Sequence, residues 1–179
     1  RQPLYMYLIF FLYTAYKKHF WIPLLFILIS LTSSDQFTSS FMKPYFQRLR
    51  RIKQLGLTHL VYPGALHTRF HHALGTLHLM GNAIEVIRSK GHDISEEEAI
   101  AASIAILLHD VGHGPFSHSL EHSIVSGISH EEISSLFMDR LNKQFDHQLD
   151  LALSIFRNQY KKKFLHQLVA GQLDMDRLD

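Results

Sequence analysis

The chain has 179 residues, no cysteine, a formal net charge of +2, 46% hydrophobic residues and 19% charged residues. That length and balance fit one globular domain with a real core, and they exclude a disordered chain, a disulfide framework and any thiolate metal site. The small net charge gives no argument for a nucleic-acid partner, so no specific nucleic-acid site is expected.

Residues 1–40 form an atypical apolar segment. Leu4–Tyr16 and Phe20–Leu31 are two apolar runs split by Lys17, Lys18 and His19, with Pro23 inside the second. Neither run reaches the roughly 18–20 residues that a membrane span requires. A membrane anchor or signal-like segment, a buried part of the fold and an irregular start remain open. Membrane contact is expected only through residues 4–31, and a cytoplasmic location is favoured over the anchor.

From Pro44 the pattern is helical. Pro44 suits a first helical position, Gly56 suits the residue past a helix end, and Phe46, Leu49, Ile52 and Leu55 make one apolar face. Arg48, Arg50, Arg51 and Lys53 crowd the same turns, as a solvated basic face or with one or two cations meeting phosphates. Leu57–Tyr62 reads as a short extended run closed by Pro63-Gly64. Thr68 can cap a helix from about Arg69 to Lys90, stopped by Gly91, with Phe70, Leu74, Leu77, Met80, Ile84 and Ile87 as its stripe. His71 and His72 point about 100° apart on it, so at most one serves a common centre.

Ser95-x-x-Glu98 is a capping box, and the helix it opens ends in His109-Asp110. Pro115 is expected to begin a short helix carrying His118, Glu121 and His122. Ser129-x-x-Glu132 is a second capping box, followed by a core face of Ile133, Leu136, Phe137 and Leu141. Asp146 is expected to cap a helix bearing Leu149, Leu153 and Phe156. Lys161-Lys162-Lys163, a solvated or phosphate-facing patch, opens a long helix to about Ala170, ended by Gly171. No strand alternation of useful length occurs, so the expected fold is all-α, a compact helical bundle.

Histidine is the compositional outlier: the chain has 14, eleven of them between His59 and His130. They gather around His109-Asp110-Val111-Gly112-His113-Gly114. Adjacent imidazole and carboxylate donors suit one divalent ion, among Fe, Mn, Zn, Co, Ni or Mg. Gly112 and Gly114 are expected to let the backbone turn sharply after the pair. A His-Asp pair by itself is weak evidence, and partners elsewhere decide its meaning. His72 and an aspartate near the end of the chain complete a set of two imidazoles and two carboxylates on or beside helix ends.

Four stretches carry a resemblance: residues 45–56 (Tyr45 to Gly56), Tyr62-Pro63-Gly64-Ala65 with His67-Thr68-Arg69-Phe70-His71-His72, residues 109–118, and Gly171-Gln172-Leu173-Asp174-Met175-Asp176-Arg177. In that order they resemble the HD phosphohydrolase superfamily, and more closely its deoxynucleoside triphosphate triphosphohydrolase branch. The resemblance covers about Tyr45 to Asp179 and places an incomplete HD domain at residues 41–179. It implies His72, His109, Asp110 and Asp176 as metal ligands, with Asp174 outside that set as a cap. It implies His113, His118, Glu121 and His130 as catalytic, with His118 protonating the leaving group and Glu121 orienting it. Arg69 would meet substrate phosphates, and Gln54 and Leu55 would lie beside the deoxyribose. The implied reaction splits a deoxynucleoside triphosphate into deoxynucleoside and triphosphate, in an enzyme that is a homo-oligomer at full length. His71 stands where relatives commonly carry glutamate, and residues 1–40 lack the branch's Asp-Pro-x-x-Gly opening. The alternatives are an HD hydrolase acting on an alarmone or cyclic dinucleotide, or a non-catalytic metal- or nucleotide-binding module. His113 stands where the cyclic-dinucleotide branch carries lysine, which counts against that branch.

Overall fold

The computed structural model describes residues 44–116 and 129–179, and within them the chain is all-α. The elements are α1 (Pro44–Gln47), a 3₁₀ turn (Arg48–Arg51), a second 3₁₀ turn (Thr58–Leu60), α2 (Arg69–Ser89), α3 (Glu96–Leu108), α4 (His130–Gln144), α5 (Asp150–Phe156), α6 (Lys163–Val169) and α7 (Met175–Leu178). One isolated antiparallel bridge, Lys53 to Thr68, ties the first turns to the start of α2. None of the described helices is long and apolar enough to cross a membrane.

The axis of the fold is α3. Its sequence, Glu96–Leu108, is apolar on nearly every side, and such a helix belongs inside. Ala101, Ala102 and Ala105 let α2 and α5 approach closely, while Ile106, Leu107 and Leu108 fill the space between them. Across α2, Phe70, Leu74, Leu77, Met80 and Ile84 are buried against this core, as the apolar stripe required. The short α7 packs back on α2, which brings the end of the described chain to the first turns of that helix.

Helix ends follow local chemistry. Ser95 and Ser129 form capping boxes with Glu98 and Glu132. Thr68 caps α2, and Gly91 follows its last turn at φ 86°, a conformation open to glycine at no steric cost. Thr68 also forms a capping box, with His71 in the third helical position: the Thr68 N–H donates to His71 Nδ1 at 3.2 Å. Glutamate is the usual partner there, so the imidazole replaces a carboxylate as the acceptor.

Several expected features are overturned. Leu57–Tyr62 is not extended; Thr58–Leu60 is a 3₁₀ turn, closed by Val61 and Tyr62 N–H groups donating to Thr58 O. The apolar face that begins at Phe46 stops at Ile52, and Leu55 is 49% exposed, because the helix ends at Arg51 rather than at Gly56. On α4 the inward residues are Ser134, Met138, Leu141 and Asn142, while Leu136 is 64% exposed. The cause is Ser134, which is drawn into the core to accept the Gly112 N–H and so turns Leu136, 200° away, to the outside. Asp146 sits at φ 48° and caps nothing; Asn142 stitches α4 to α5 by accepting the Leu149 N–H and donating to Asp150. The helix expected from Lys161 to Ala170 is only α6, because Lys162 is drawn away to Glu98 at 2.7 Å and to the Asp93 carbonyl. The short helix expected from Pro115, with His118, Glu121 and His122, lies outside the described residues.

Candidate metal centre

Three elements converge at the C-terminal end of α3. The helix delivers His109 and Asp110 one residue after the other, α2 contributes His72 from its first turn, and α7 contributes Asp176. Donor atoms of His72, His109 and Asp176 lie within 4.8 Å of one another. Asp110 stands beside them, Oδ1 at 3.4 Å from His109 Nε2 and Oδ2 at 4.0 Å from His72 Nε2. All four expected ligand residues are therefore brought together, across more than a hundred residues of chain.

The hydrogen bonds fix which atoms are free to act. His109 Nδ1 lies 2.5 Å from the Ile106 carbonyl, which can only accept, so Nδ1 carries the proton. Its Nε2 is buried without a hydrogen-bond partner among the described residues, 3.4 Å from Asp110 Oδ1 and 3.5 Å from Asp176 Oδ1. A lone pair aimed between two carboxylate oxygens is repelled unless a positive charge sits among them. His72 Nδ1 lies 2.8 Å from Asp179 and its Nε2 2.7 Å from Asp176. Only a doubly protonated ring can donate to both. The His72 Nε2 proton, held between His72 and Asp176, occupies the place where a cation fits.

The electrostatics agree. Burial would lower the pKa of His72, but hydrogen bonds to Asp176 and Asp179 outweigh it and the net shift is upward. Burial works against charged His109 as well, and the neighbouring Asp176 and Asp110 again reverse it. Burial alone would raise Asp110, yet His113, His109 and Arg69 hold it far below the usual carboxylate range. Asp176 is held low by His109 and His72. A ligand set of two imidazoles and two carboxylates suits a borderline divalent cation, and binding one would release the imidazolium protons.

Around this centre the loop after α3 is tightly built. Arg69 Nη1 donates to Asp110 Oδ2 at 2.6 Å in a buried ion pair. His113 is buried, lies 3.2 Å from Asp110 Oδ1 and stacks on His130 with ring centroids 4.0 Å apart. Burial lowers the His113 pKa in spite of Asp110. Arg48, expected on a solvated basic face, instead donates to the backbone carbonyls of His113 and Val111 and so clamps the loop. The backbone turns after the pair as expected, with the His113 N–H donating to Asp110 O, but neither Gly112 nor Gly114 has a positive φ. Gly112 is needed for close approach, because a Cβ there would lie 2.3 Å from His130 O and 2.4 Å from Ser134 N.

A cavity of about 410 Å³ opens beside the cluster, lined among others by His109, Asp110, His130, Glu131, Asp176 and Arg177. Asp174 lies in its wall but points its carboxylate at the Gly171 and Arg177 N–H groups, capping α7 as expected. Arg69, Gln54 and Leu55 are not among the residues that line this cavity. Gln54 sits on the loop before α2, its N–H donating to His67 O, and its Oε1 is buried without a hydrogen-bond partner among the described residues. His118 and Glu121 fall outside the described residues. Missed at the level of sequence were Arg177 and His166 in the cavity wall and Asp179 on His72; Asp179 sits three residues past Asp176, a spacing that places both on one turn.

Residues 69–173 match the HD-domain family model, more than half of the chain. The chain belongs to the HD-domain family. Among relatives of this HD domain, the uncharacterised protein MJ1154 of Methanocaldococcus jannaschii is 37% identical over 139 residues, covering 75% of this chain and 26% of the relative. The deoxynucleoside triphosphate triphosphohydrolase SAMHD1 of Homo sapiens is 49% identical over 80 residues, 44% of this chain and 13% of that protein. The crystal structure of a phosphohydrolase from Bacteroides thetaiotaomicron superposes with a TM-score of 0.75 at 61% identity, covering 77% of this chain and 34% of that one. The chain thus spans about a quarter of MJ1154 and a third of the Bacteroides protein.

Proposed function

We propose that this HD domain is the metal-dependent catalytic part of a phosphohydrolase acting on deoxynucleoside triphosphates, releasing deoxynucleoside and triphosphate. The observation that carries the metal reading is His109 Nε2, a buried nitrogen with a fixed lone pair set between Asp110 and Asp176. Support for the substrate class comes from the similarity to a protein named for that reaction, over 80 residues of this chain.

His72, His109, Asp110 and Asp176 would hold the cation. When bound, it supplies a water acidic enough to act as nucleophile near neutral pH and charge to offset the phosphate oxygens. The protein's own residues do the rest. Arg69 keeps Asp110 ionised and fixed, and His113 holds the other Asp110 oxygen, so both are assigned to orientation. His130 lines the cavity and can exchange a proton there. His118, with Glu121 to orient it, is assigned to protonating the leaving oxygen. Arg177 in the cavity wall offers a guanidinium to developing phosphate charge. Gln54 and Leu55 are assigned to the deoxyribose end.

The test is product identification. Protein loaded with Mn2+ is incubated with deoxynucleoside triphosphates, and separately with ribonucleoside triphosphates, an alarmone and a cyclic dinucleotide. Inorganic triphosphate and deoxynucleoside from the first set are expected. Turnover of another set with none of the first overturns the substrate class, and nucleotide-dependent thermal stabilisation without any turnover overturns the enzymatic reading.

A further inference from the structure

The least expected residue at the centre is Asp179, and its placement is unusual in one respect: α2 leaves a gap for it. The Asp179 carboxylate reaches His72 Nδ1 at 2.8 Å. It passes over Gly75, one turn along α2 from His72, where a Cβ would lie 1.8 Å from Asp179 Oδ1 and 2.6 Å from its Cγ. Glycine inside a long helix costs about 1 kcal/mol relative to alanine, so its presence there needs a reason. No glycine-only backbone angle supplies one, because Gly75 has an ordinary helical conformation. The close approach of Asp179 does.

We propose that Asp179 is a positioning residue for His72, admitted by Gly75: its carboxylate accepts a hydrogen bond from Nδ1–H, fixes the ring, and leaves Nε2 to face Asp176 and the cation. This rests on the metal-centre reading above. A histidine ligand works through one nitrogen, and a partner on the other nitrogen sets the tautomer and the ring's direction. His109 has such a partner in the Ile106 carbonyl. Asp179 does the same for His72, so each of the two imidazoles has one nitrogen anchored and the other aimed at the shared centre.

Mn2+ titration of the full chain, read by the electron paramagnetic resonance of the free ion, tests this on four proteins and their double variant. Asp179→Ala is expected to weaken Mn2+ binding 10- to 100-fold. Asp179→Asn keeps an acceptor of the same shape and is expected to recover part of that loss. Gly75→Ala is expected to lose affinity to a similar degree: its methyl meets only the far end of a flexible side chain, so the helix survives while the carboxylate is displaced. Gly75→Ala with Asp179→Ala is expected to bind no more weakly than Asp179→Ala alone, since both remove one contact. The imidazole 15N spectrum of His72 without metal gives a second readout, and loss of its Nδ1–H signature in Asp179→Ala is expected. Wild-type affinity in Asp179→Ala, or fully additive losses in the double variant, overturns the proposal and leaves the metal centre standing. Absence of Mn2+ binding by the unsubstituted chain overturns both.

Discussion

Two buried carboxylates sit at opposite ends of α3, and they differ in what is left over. Glu98, in the first turn, accepts from the Ser95 N–H, the Tyr160 hydroxyl at 2.5 Å and the Lys162 ammonium at 2.7 Å. Every group in that cluster is satisfied, and the helix N-terminus favours the negative charge. Asp110, just past the last turn, stands where the helix dipole disfavours a carboxylate, and it is held by Arg69 and His113. There the contacts do not close: His109 Nε2 has no hydrogen bond among the described residues, and His72 and His109 are pushed toward carrying protons by the acids around them. A closed network ties elements together. One that leaves an aimed, unpaired nitrogen lone pair has room for a ligand.

The comparison breaks most decisively at Asp110. Asp110→Ala removes a ligand and leaves Arg69 as a buried, uncompensated cation, so a loss of about 3–5 kcal/mol in stability is expected together with loss of bound metal. Asp110→Asn keeps the volume and an oxygen for Arg69; it is expected to lose metal with a smaller loss of stability. Elemental analysis of the purified variants and chemical denaturation measure the two effects separately. If Asp110→Asn retains stoichiometric metal, the cluster at this end of α3 is structural like the other.

The two ends were not equally legible in the sequence. Both capping boxes, the α2 stripe and the all-α class follow from spacing and cap chemistry alone, because these are local rules. His72, His109 and Asp110 stood out because donor residues on helix ends leave a pattern, while the choice of Asp176 among the aspartates near the end came from the family resemblance. What spacing could not show was which partner each polar group would choose. Lys162 meets Glu98, Arg48 meets loop carbonyls, and Ser134 enters the core to meet Gly112. Each of these choices spans 22 to 65 residues of chain. Gly75 and Asp179 were invisible for the same reason, since a close approach leaves no periodic signal.

The Glu98 end makes a smaller, pH-dependent prediction. Its hydrogen bonds with Lys162, Tyr160 and the Ser95 N–H overcome the effect of burial and bring its pKa from an ordinary 4.5 to about 2. A lowered carboxylate pKa stabilises the fold fully above the unfolded value, and that contribution fades as pH falls from about 4.5 toward 2. Glu98→Gln keeps the capping oxygen but loses the charge. It is expected to cost about 1 kcal/mol at neutral pH, the low end for a charged hydrogen bond because the Lys162 ammonium is solvated. The gap between the two proteins should close near pH 2, with metal content unchanged throughout. Denaturation curves from pH 2 to 7 test this, and a gap that stays constant across that range would remove the Glu98 charge from the account of the fold.

His71 is the mildest test, and it separates capping from chemistry. It occupies in α2 the position that Glu98 occupies in α3, the third helical residue of a capping box. Its ring accepts the Thr68 N–H and faces solvent, next to a ligand residue yet outside the metal cluster. Glutamate there makes the same reciprocal bond and adds a negative charge near the helix N-terminus, which is favourable by a few tenths of a kcal/mol. His71→Glu is therefore expected to raise stability slightly, within about 0.5 kcal/mol, and to leave Mn2+ affinity as it was. A marked fall in affinity would mean that His71 serves the centre directly, and the division between a closed capping contact and an open ligand site would then fail at adjacent residues.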